Sequence, residues 1–307
     1  MLDFIMRIAV AGHLGNQLFQ WGFGHWLQTQ KGGAAVPFIM QEMNIPTNGW
    51  KCQLNFLTAN CNHFQIHKPI QSDFYRDKFA GKSQLLLQVL PFGDNLISFS
   101  DTFFGIRRES FHDRRAERVP KRILYQGYFQ NISHFRKFIP TLTTELNHAI
   151  MRVIQGLGNS NGELNRINEI IKSNPIFQLV HVRRGDFLYA ENRGFGLLGA
   201  DYYLVHKGTL PIVVITDDVE GAKDVIRQLE PIAVVNPIEL DAIATLYLFT
   251  KAHVIVSSNS TFSYWGSLLA LGAGKRVIIP SKFRPFEEDL WRFYVDGMEI
   301  SEAKFIF

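Results

Sequence analysis

The residues best suited to chemistry lie just past the middle of the chain, where Ile176-Phe177-Gln178-Leu179-Val180-His181-Val182-Arg183-Arg184-Gly185-Asp186-Phe187 passes abruptly from apolar to charged. The apolar part, with its β-branched residues, reads as a buried strand. Open α/β sheets bind ligands outside the carboxyl ends of their strands, so a His, two Arg, a Gly and an Asp at such an end suit an anionic ligand. A second group follows the strand-like His253-Val254-Ile255-Val256, where Ser257-Ser258-Asn259-Ser260-Thr261-Phe262-Ser263-Tyr264-Trp265 opens a helix. Ser258, Asn259, Ser260 and Thr261 are preferred capping types, and a helix starting there turns several N–H groups and its positive dipole end toward the ligand. Arg183 facing that helix start makes a diphosphate site, with charge-assisted bonds of roughly 1.5–3 kcal/mol each.

A third loop, Thr216-Asp217-Asp218, ends the β-branched run 210–215. Adjacent residues of an extended segment point to opposite sides, so these two carboxylates are read as a cap for the next helix rather than as a metal pair. No Asp-x-Asp occurs in the chain, and such spaced carboxylates commonly hold metal and diphosphate together. The expectation is therefore a metal-independent site without cofactor, in which Arg183 stands where a cation would.

Alternating strands and helices must position these loops. In the second half they read as a strand to Val182, a helix near 202–207, the strand 210–215, a helix over 220–229, a strand over 232–235, a helix over 238–250, the strand 253–256, a helix to 271 and a last strand over 277–279, which means a parallel, doubly wound sheet. The first half opens the same way: a strand over 7–11 enters Gly12-His13-Leu14-Gly15-Asn16-Gln17, then come a helix over 18–30 and a strand over 34–39. That loop is not the dinucleotide fingerprint, because only Gly12 and Gly15 are present, and an oxidoreductase using a nicotinamide cofactor is disfavoured. Residues 40–124 read as short strands and irregular loops. The stretch Tyr125-Gln126-Gly127-Tyr128-Phe129-Gln130-Asn131 combines aromatic and polar groups suited to sugar stacking or to a core. A helix over 140–155 leads into Gly156-Leu157-Gly158-Asn159-Ser160-Asn161-Gly162, read as a hinge. The domains are thus set at 1–158 and 159–307, with the final helix free to pack back on the first.

Composition sets the limits. With 307 residues and 46% hydrophobic content, the chain can bury two domain cores. A net charge of +4 suits an anionic ligand and is too weak to argue for nucleic acid. Segment 107–122 carries seven Lys or Arg against three acids, a pattern of a solvated face or of peripheral contact with an anionic membrane. Cys52 and Cys61 have no metal-binding pattern around them, no apolar run reaches the roughly 18 residues of a membrane span, and the N-terminus does not read as a secretion signal, so a cytoplasmic protein is expected.

Taken together, His181-Val182-Arg183-Arg184-Gly185-Asp186, the run from Gly12 to Gln20, Thr216-Asp217-Asp218 and the run from Ser258 to Trp265 resemble the α-1,2-fucosyltransferases of glycosyltransferase family 11, in the family's order and over most of the chain. His13, Trp21 and Tyr264 depart from its usual residues. The resemblance implies a GT-B architecture, two Rossmann-like domains facing a central cleft. It implies GDP-β-L-fucose as donor, inversion at the fucose carbon, and a galactose-terminated acceptor, giving an α-1,2-fucoside. Arg183 would grip the β-phosphate of leaving GDP. His181 and Asp241 would lie near guanine, and Asn259, Ser260, Thr261 and Phe262, with Gly15 and Arg184, would complete the donor site. Asn16 would face the reacting centre. For the general base the chain offers Asp186, Asp101 and Glu191, with Asp186 preferred; its other role would be an ion pair orienting either Arg. The alternative class is a non-catalytic nucleotide-sugar or glycan-binding protein of the same fold.

Overall fold

A short apolar run, a loop and an amphipathic stretch are enough to start a strand–helix–strand unit, and both halves of the chain start that way in the computed structural model. It describes residues 5–10, 12–29, 38–43, 51–58, 64–70, 86–89, 95–101, 122–132, 135–157, 162–236, 241–285 and 293–306. Two compact units result, Met1–Phe138 and Ile139–Phe307.

The first unit contains β1 (Ile5–Ala9), α1 (Leu14–Thr29), β2 (Phe38–Met43), α2 (Asn55–Thr58), β3 (Phe64–Ile70), β4 (Leu86–Val89), β5 (Asn95–Asp101) and β6 (Arg122–Gly127). Its six-stranded sheet has the order β3-β2-β1-β6-β5-β4, parallel except where β4 meets β5. Leu18, Phe19 and Trp21 of α1 are fully buried, which at about 1.5–3 kcal/mol per large apolar side chain anchors the helix. The helix begins four residues before the expected start, because the His13 carbonyl already accepts the Asn16 and Gln17 N–H groups.

The second unit contains α3 (Ile139–Leu157), α4 (Gly162–Ser173), β7 (Gln178–Val182), β8 (Leu197–Leu198), α5 (Ala200–Leu204), β9 (Ile212–Thr216), α6 (Lys223–Leu229), β10 (Ala233–Val235), α7 (Ala242–Lys251), β11 (Val254–Val256), α8 (Thr261–Gly272), β12 (Arg276–Pro280), β13 (Met298–Ser301) and β14 (Phe305–Ile306). Its main sheet is parallel throughout, in the order β10-β9-β7-β11-β12-β13. All five residues of β7 and of β9 are buried, as expected of central strands covered on both faces. The α/β class and two mostly parallel sheets of the expected architecture are thus present.

Three features differ from the sequence reading. The division falls after Phe138, not after residue 158, since α3 packs against α7 and α8: the helix before a Gly-rich stretch buries Leu142, Leu146 and Ile150 in the second unit. Helix α3 runs to Leu157 and helix α4 starts at Gly162, the two ends of what read as a hinge, whose residues 158–161 lie outside the described residues; α4 buries Leu164 and Ile167. Beyond the strand expected to be last, β13 extends the sheet beside β12 and β14 pairs antiparallel with β8; residues 286–292, between β12 and β13, lie outside the described residues. The basic segment 107–121 lies outside the described residues, as do Cys61 and the side chains of Asp101 and Glu191. Cys52 is buried, and burial pushes its thiol up to about 12, so it remains a neutral core group. Among the described residues no helix is long and apolar enough to cross a membrane.

Candidate functional site

In the second sheet the chain runs outward from β7 to β9 and β10, then returns to the other side of β7 at β11. Loops leaving β7 and β11 therefore diverge and open a crevice at the carboxyl edge, the usual binding place of such sheets. One bond spans this switch point: His181 Nδ1 lies 2.7 Å from Ser258 Oγ. Burial, aided by the neighbouring Arg183 charge, pushes the His181 pKa down to about 3. The imidazole is uncharged at neutral pH and acts as a hydrogen-bonding partner rather than as a cation.

The two adjacent arginines take opposite roles. Arg184 is buried, donating from Nε to the Gly221 carbonyl (3.2 Å), from Nη1 to the Arg183 carbonyl (2.9 Å) and from Nη2 to the Leu198 carbonyl (3.0 Å). Its guanidinium is engaged by backbone and fixes the loop. Arg183 keeps 23% of its side chain exposed and pairs with two carboxylates, through Nη2 with Asp186 and through Nη1 with Asp217 at 2.6 Å. It also lies over the Phe187 ring, 5.1 Å from the centroid, a cation–π contact that keeps the guanidinium low against the loop. Gly185 has φ +31° and passes so close to Asp217 that a Cβ there would collide with Oδ2. Asp217 also accepts the Arg184 N–H at 2.8 Å.

The third loop is tied to the first. Asn259 donates from Nδ2 to the carbonyls of Phe195, Gly196 and Phe283 at 3.1–3.2 Å, so its side chain fastens the loops rather than facing a ligand. Ser260 precedes α8 in extended conformation without making a side-chain cap; the Ser263 hydroxyl instead accepts the Ser258 N–H at 3.1 Å and meets Ser257 Oγ at 2.7 Å. A helix start without a side-chain cap suits an anion. Thr261 and Phe262 open the helix half-buried, the Phe262 ring 6.2 Å from that of His181. Asp241 caps α7 by accepting the Ile243 N–H at 2.7 Å, the default role of an Asp at a helix start.

The first unit repeats the pattern. Its chain runs from β1 to β2 and β3, with β6 on the other side of β1, and the loops after β1 and β6 are joined by Gln130 Nε2 donating to Asn16 Oδ1 at 3.0 Å. Gly12 adopts φ +73°, where a Cβ would run into the Asn16 side chain. Gly15 is buried in the first turn of α1. Gln17, fully buried, donates to the Gly12 and Lys51 carbonyls and accepts the Gln53 N–H, all within 2.9 Å.

The structure thus brings together His181, Arg183, Arg184, Asp186, Asn259 and the start of α8, and keeps Asp241 at its own helix cap. Asp217, Ser258, Gln17 and Gln130 hold the loops in ways the sequence reading did not assign. Asp217 could have been found from strand order, because β9 pairs with β7 in the register Val182–Thr216, which sets the residue after Thr216 beside Arg183. Instead of capping as a pair, the two acids divide: Asp218 accepts the Gly221 N–H at 2.9 Å while Asp217 turns to the arginine loop. Among the described residues no group of three or more His, Cys, Asp or Glu is arranged to hold a metal ion.

Comparison with known proteins adds the lineage. An Escherichia coli protein named O-antigen biosynthesis glycosyltransferase WbnK is 28% identical over 144 residues, 44% of this chain and 48% of that protein; the match spans about half the length of this curated relative. Solved structures with a similar trace include a glycosyl transferase family 9 protein from Veillonella parvula (11% identity, all of this chain and 89% of that one, TM-score 0.49). Others are a mutant of Arabidopsis thaliana FUT1 in complex with GDP (12%, 90% and 70%, 0.41) and the E. coli ADP-heptose heptosyltransferase II (10%, 96% and 89%, 0.45). Likenesses this distant assign no activity. Residues 103–293, more than half of the chain and including all three loops at the carboxyl edge of the second sheet, match the profile of Glycosyl transferase family 11, and the chain belongs to that family.

Proposed function

We propose that this glycosyltransferase transfers L-fucose from GDP-β-L-fucose, with inversion and without a metal ion, to the 2-hydroxyl of a β-galactoside. The observation that carries the reading is the partly exposed Arg183 at the carboxyl end of β7, beside a switch point closed by an uncharged His181 and flanked by the start of α8. In the proposed step the bond from fucose C1 to the β-phosphate oxygen breaks, its electron pair stays on GDP, and the acceptor oxygen bonds C1 from the opposite face as its proton passes to a base. Negative charge grows on the diphosphate as the bond breaks. A guanidinium and helix-start amides aimed there hold the transition state more tightly than the ground state. The Asp186 carboxylate, preferred as base from the sequence, pairs with Arg183, which suits it better to serving as a counter-ion of that side chain.

The test is incubation with GDP-fucose, EDTA and a panel of galactosides, with the product linkage read by NMR. An α-1,2-fucoside is expected, and GDP at a hundredfold excess over its dissociation constant should stabilise the fold by about 2.7 kcal/mol. Stabilisation by UDP but not GDP would overturn the donor. Binding of GDP-fucose without GDP release, whatever the acceptor, would give the protein to the non-catalytic class.

A further inference from the structure

Arg183 has two carboxylate partners that differ in burial and attachment. Asp217 retains only 11% exposure, directly follows the neighbouring strand β9 and is fixed by a second bond, the Arg184 N–H at 2.8 Å. The close passage of Gly185 over it locks the loop and the carboxylate together. Asp186 is 45% exposed and sits three residues after its partner, in the short 3-10 turn Gly185–Leu188. A mostly buried, doubly bonded carboxylate keeps its geometry, whereas an exposed one is screened by water and contributes little to holding its partner.

From this asymmetry we propose that Asp217 is a positioning residue that holds the Arg183 guanidinium by Nη1, and that Asp186 is an exchangeable counter-ion on Nη2, displaced when a diphosphate binds. Five donors in a rigid fork let one guanidinium keep a carboxylate on one nitrogen while presenting the other to an anion. Without ligand Asp186 occupies that second position, so Arg183 is not left as an unpaired charge. When a diphosphate arrives, its oxygens take the Nη2 hydrogens and Asp186 turns to water. This inference rests on the reading that Arg183 receives a diphosphate.

Two variants of equal charge separate positioning from simple electrostatics. Asp217→Asn and Asp186→Asn each remove one negative charge beside the site, and each leaves an oxygen; in Asp217→Asn that oxygen still accepts the Arg184 N–H. If both acids acted only as nearby negative charge, both variants would bind an anion more tightly. The expected result, measured by isothermal titration with GDP and separately with inorganic pyrophosphate, is opposite signs: Asp186→Asn binds about 2- to 5-fold more tightly, and Asp217→Asn about 10-fold more weakly, roughly the 1.4 kcal/mol of a tenfold change. Unfolding midpoints of both variants verify that the fold is kept. Tighter or unchanged binding in Asp217→Asn overturns the positioning role, and weaker binding in Asp186→Asn overturns the exchange. Wild-type protein that binds neither GDP nor pyrophosphate, or Arg183→Ala that binds both as wild type does, overturns instead the reading on which the inference rests.

Discussion

Across the switch point of the first sheet, Gln130 donates to Asn16 at 3.0 Å, and across that of the second, His181 meets Ser258 at 2.7 Å. Both pairs are uncharged, and each ties the end of a central strand, or the helix start that follows it, to the loop of the strand on its other side. The loops themselves are built differently. The one after β1 is fixed by neutral amides, with Gln17 serving three backbone groups. The one after β7 is fixed by ions, with Arg184 serving three carbonyls and Arg183 held between two carboxylates. Neutral amides give a loop shape. Ionic groups give shape and also a field that an anion feels, and of the two arginines in that network Arg183 is the one left partly exposed.

Removing charge from one loop and amides from the other tests this contrast. The largest effect should come from Arg183→Ala, which removes the group aimed at developing negative charge: transfer from GDP-fucose falls by roughly 100- to 1000-fold, the usual loss for one such donor. Turnover equal to wild type would mean that the second loop, like the first, supplies shape alone. Next comes Arg184→Ala, which strands three buried carbonyls and should cost about 3 kcal/mol or more in urea unfolding, a larger loss of stability than Arg183→Ala produces. A reversed order would break the division of labour between the adjacent arginines.

Gln17→Ala should destabilise by about 2–3 kcal/mol, because it leaves a buried N–H and two carbonyls without their partner. Since this loop belongs to the other unit, pyrophosphate binding by the folded variant should stay at the wild-type level.

The smallest effect is a pH dependence carried by His181. Its pKa is near 3 in the folded protein against about 6.5 when unfolded, so on acidification the unfolded chain binds the proton first. The stabilisation is complete above pH 6.5 and is lost as pH falls from there toward 3. At pH 5 the loss relative to pH 7 is about 2 kcal/mol. His181→Asn should show that much less acid destabilisation between the two pH values, and equal slopes would mean that the ring is not kept neutral by burial.

Much of this was legible before folding. The β-branched run ending at Val182, the runs 210–215 and 253–256 and the capping-rich stretch after them identify parallel strands with loops on one edge, and a Gly-interrupted loop after the first strand marks the same unit in the first half. The helix at 162–173 went unread because Gly, Ser and Asn just before it read as a hinge, although Leu164, Ile167, Ile170 and Ile171 recur at helical spacing and the first two are buried. The unit boundary was missed for a related reason: local composition locates a flexible stretch, but which sheet the preceding helix covers depends on where Leu142, Leu146 and Ile150 find a partner surface.

By itself the sequence determined which residues could hold an anion and that they lie at strand ends, since residue type and period are local properties. Tertiary structure alone decided what each charge does. Arg183 and Arg184 are neighbours of the same type, yet strand pairing places Asp217 between the loops, burial takes Arg184 into backbone carbonyls, and Arg183 remains at the edge with an exposed carboxylate beside it. The roles separate because an ion's energy depends on its partners and on its distance from water, and both are set by residues far away in the chain.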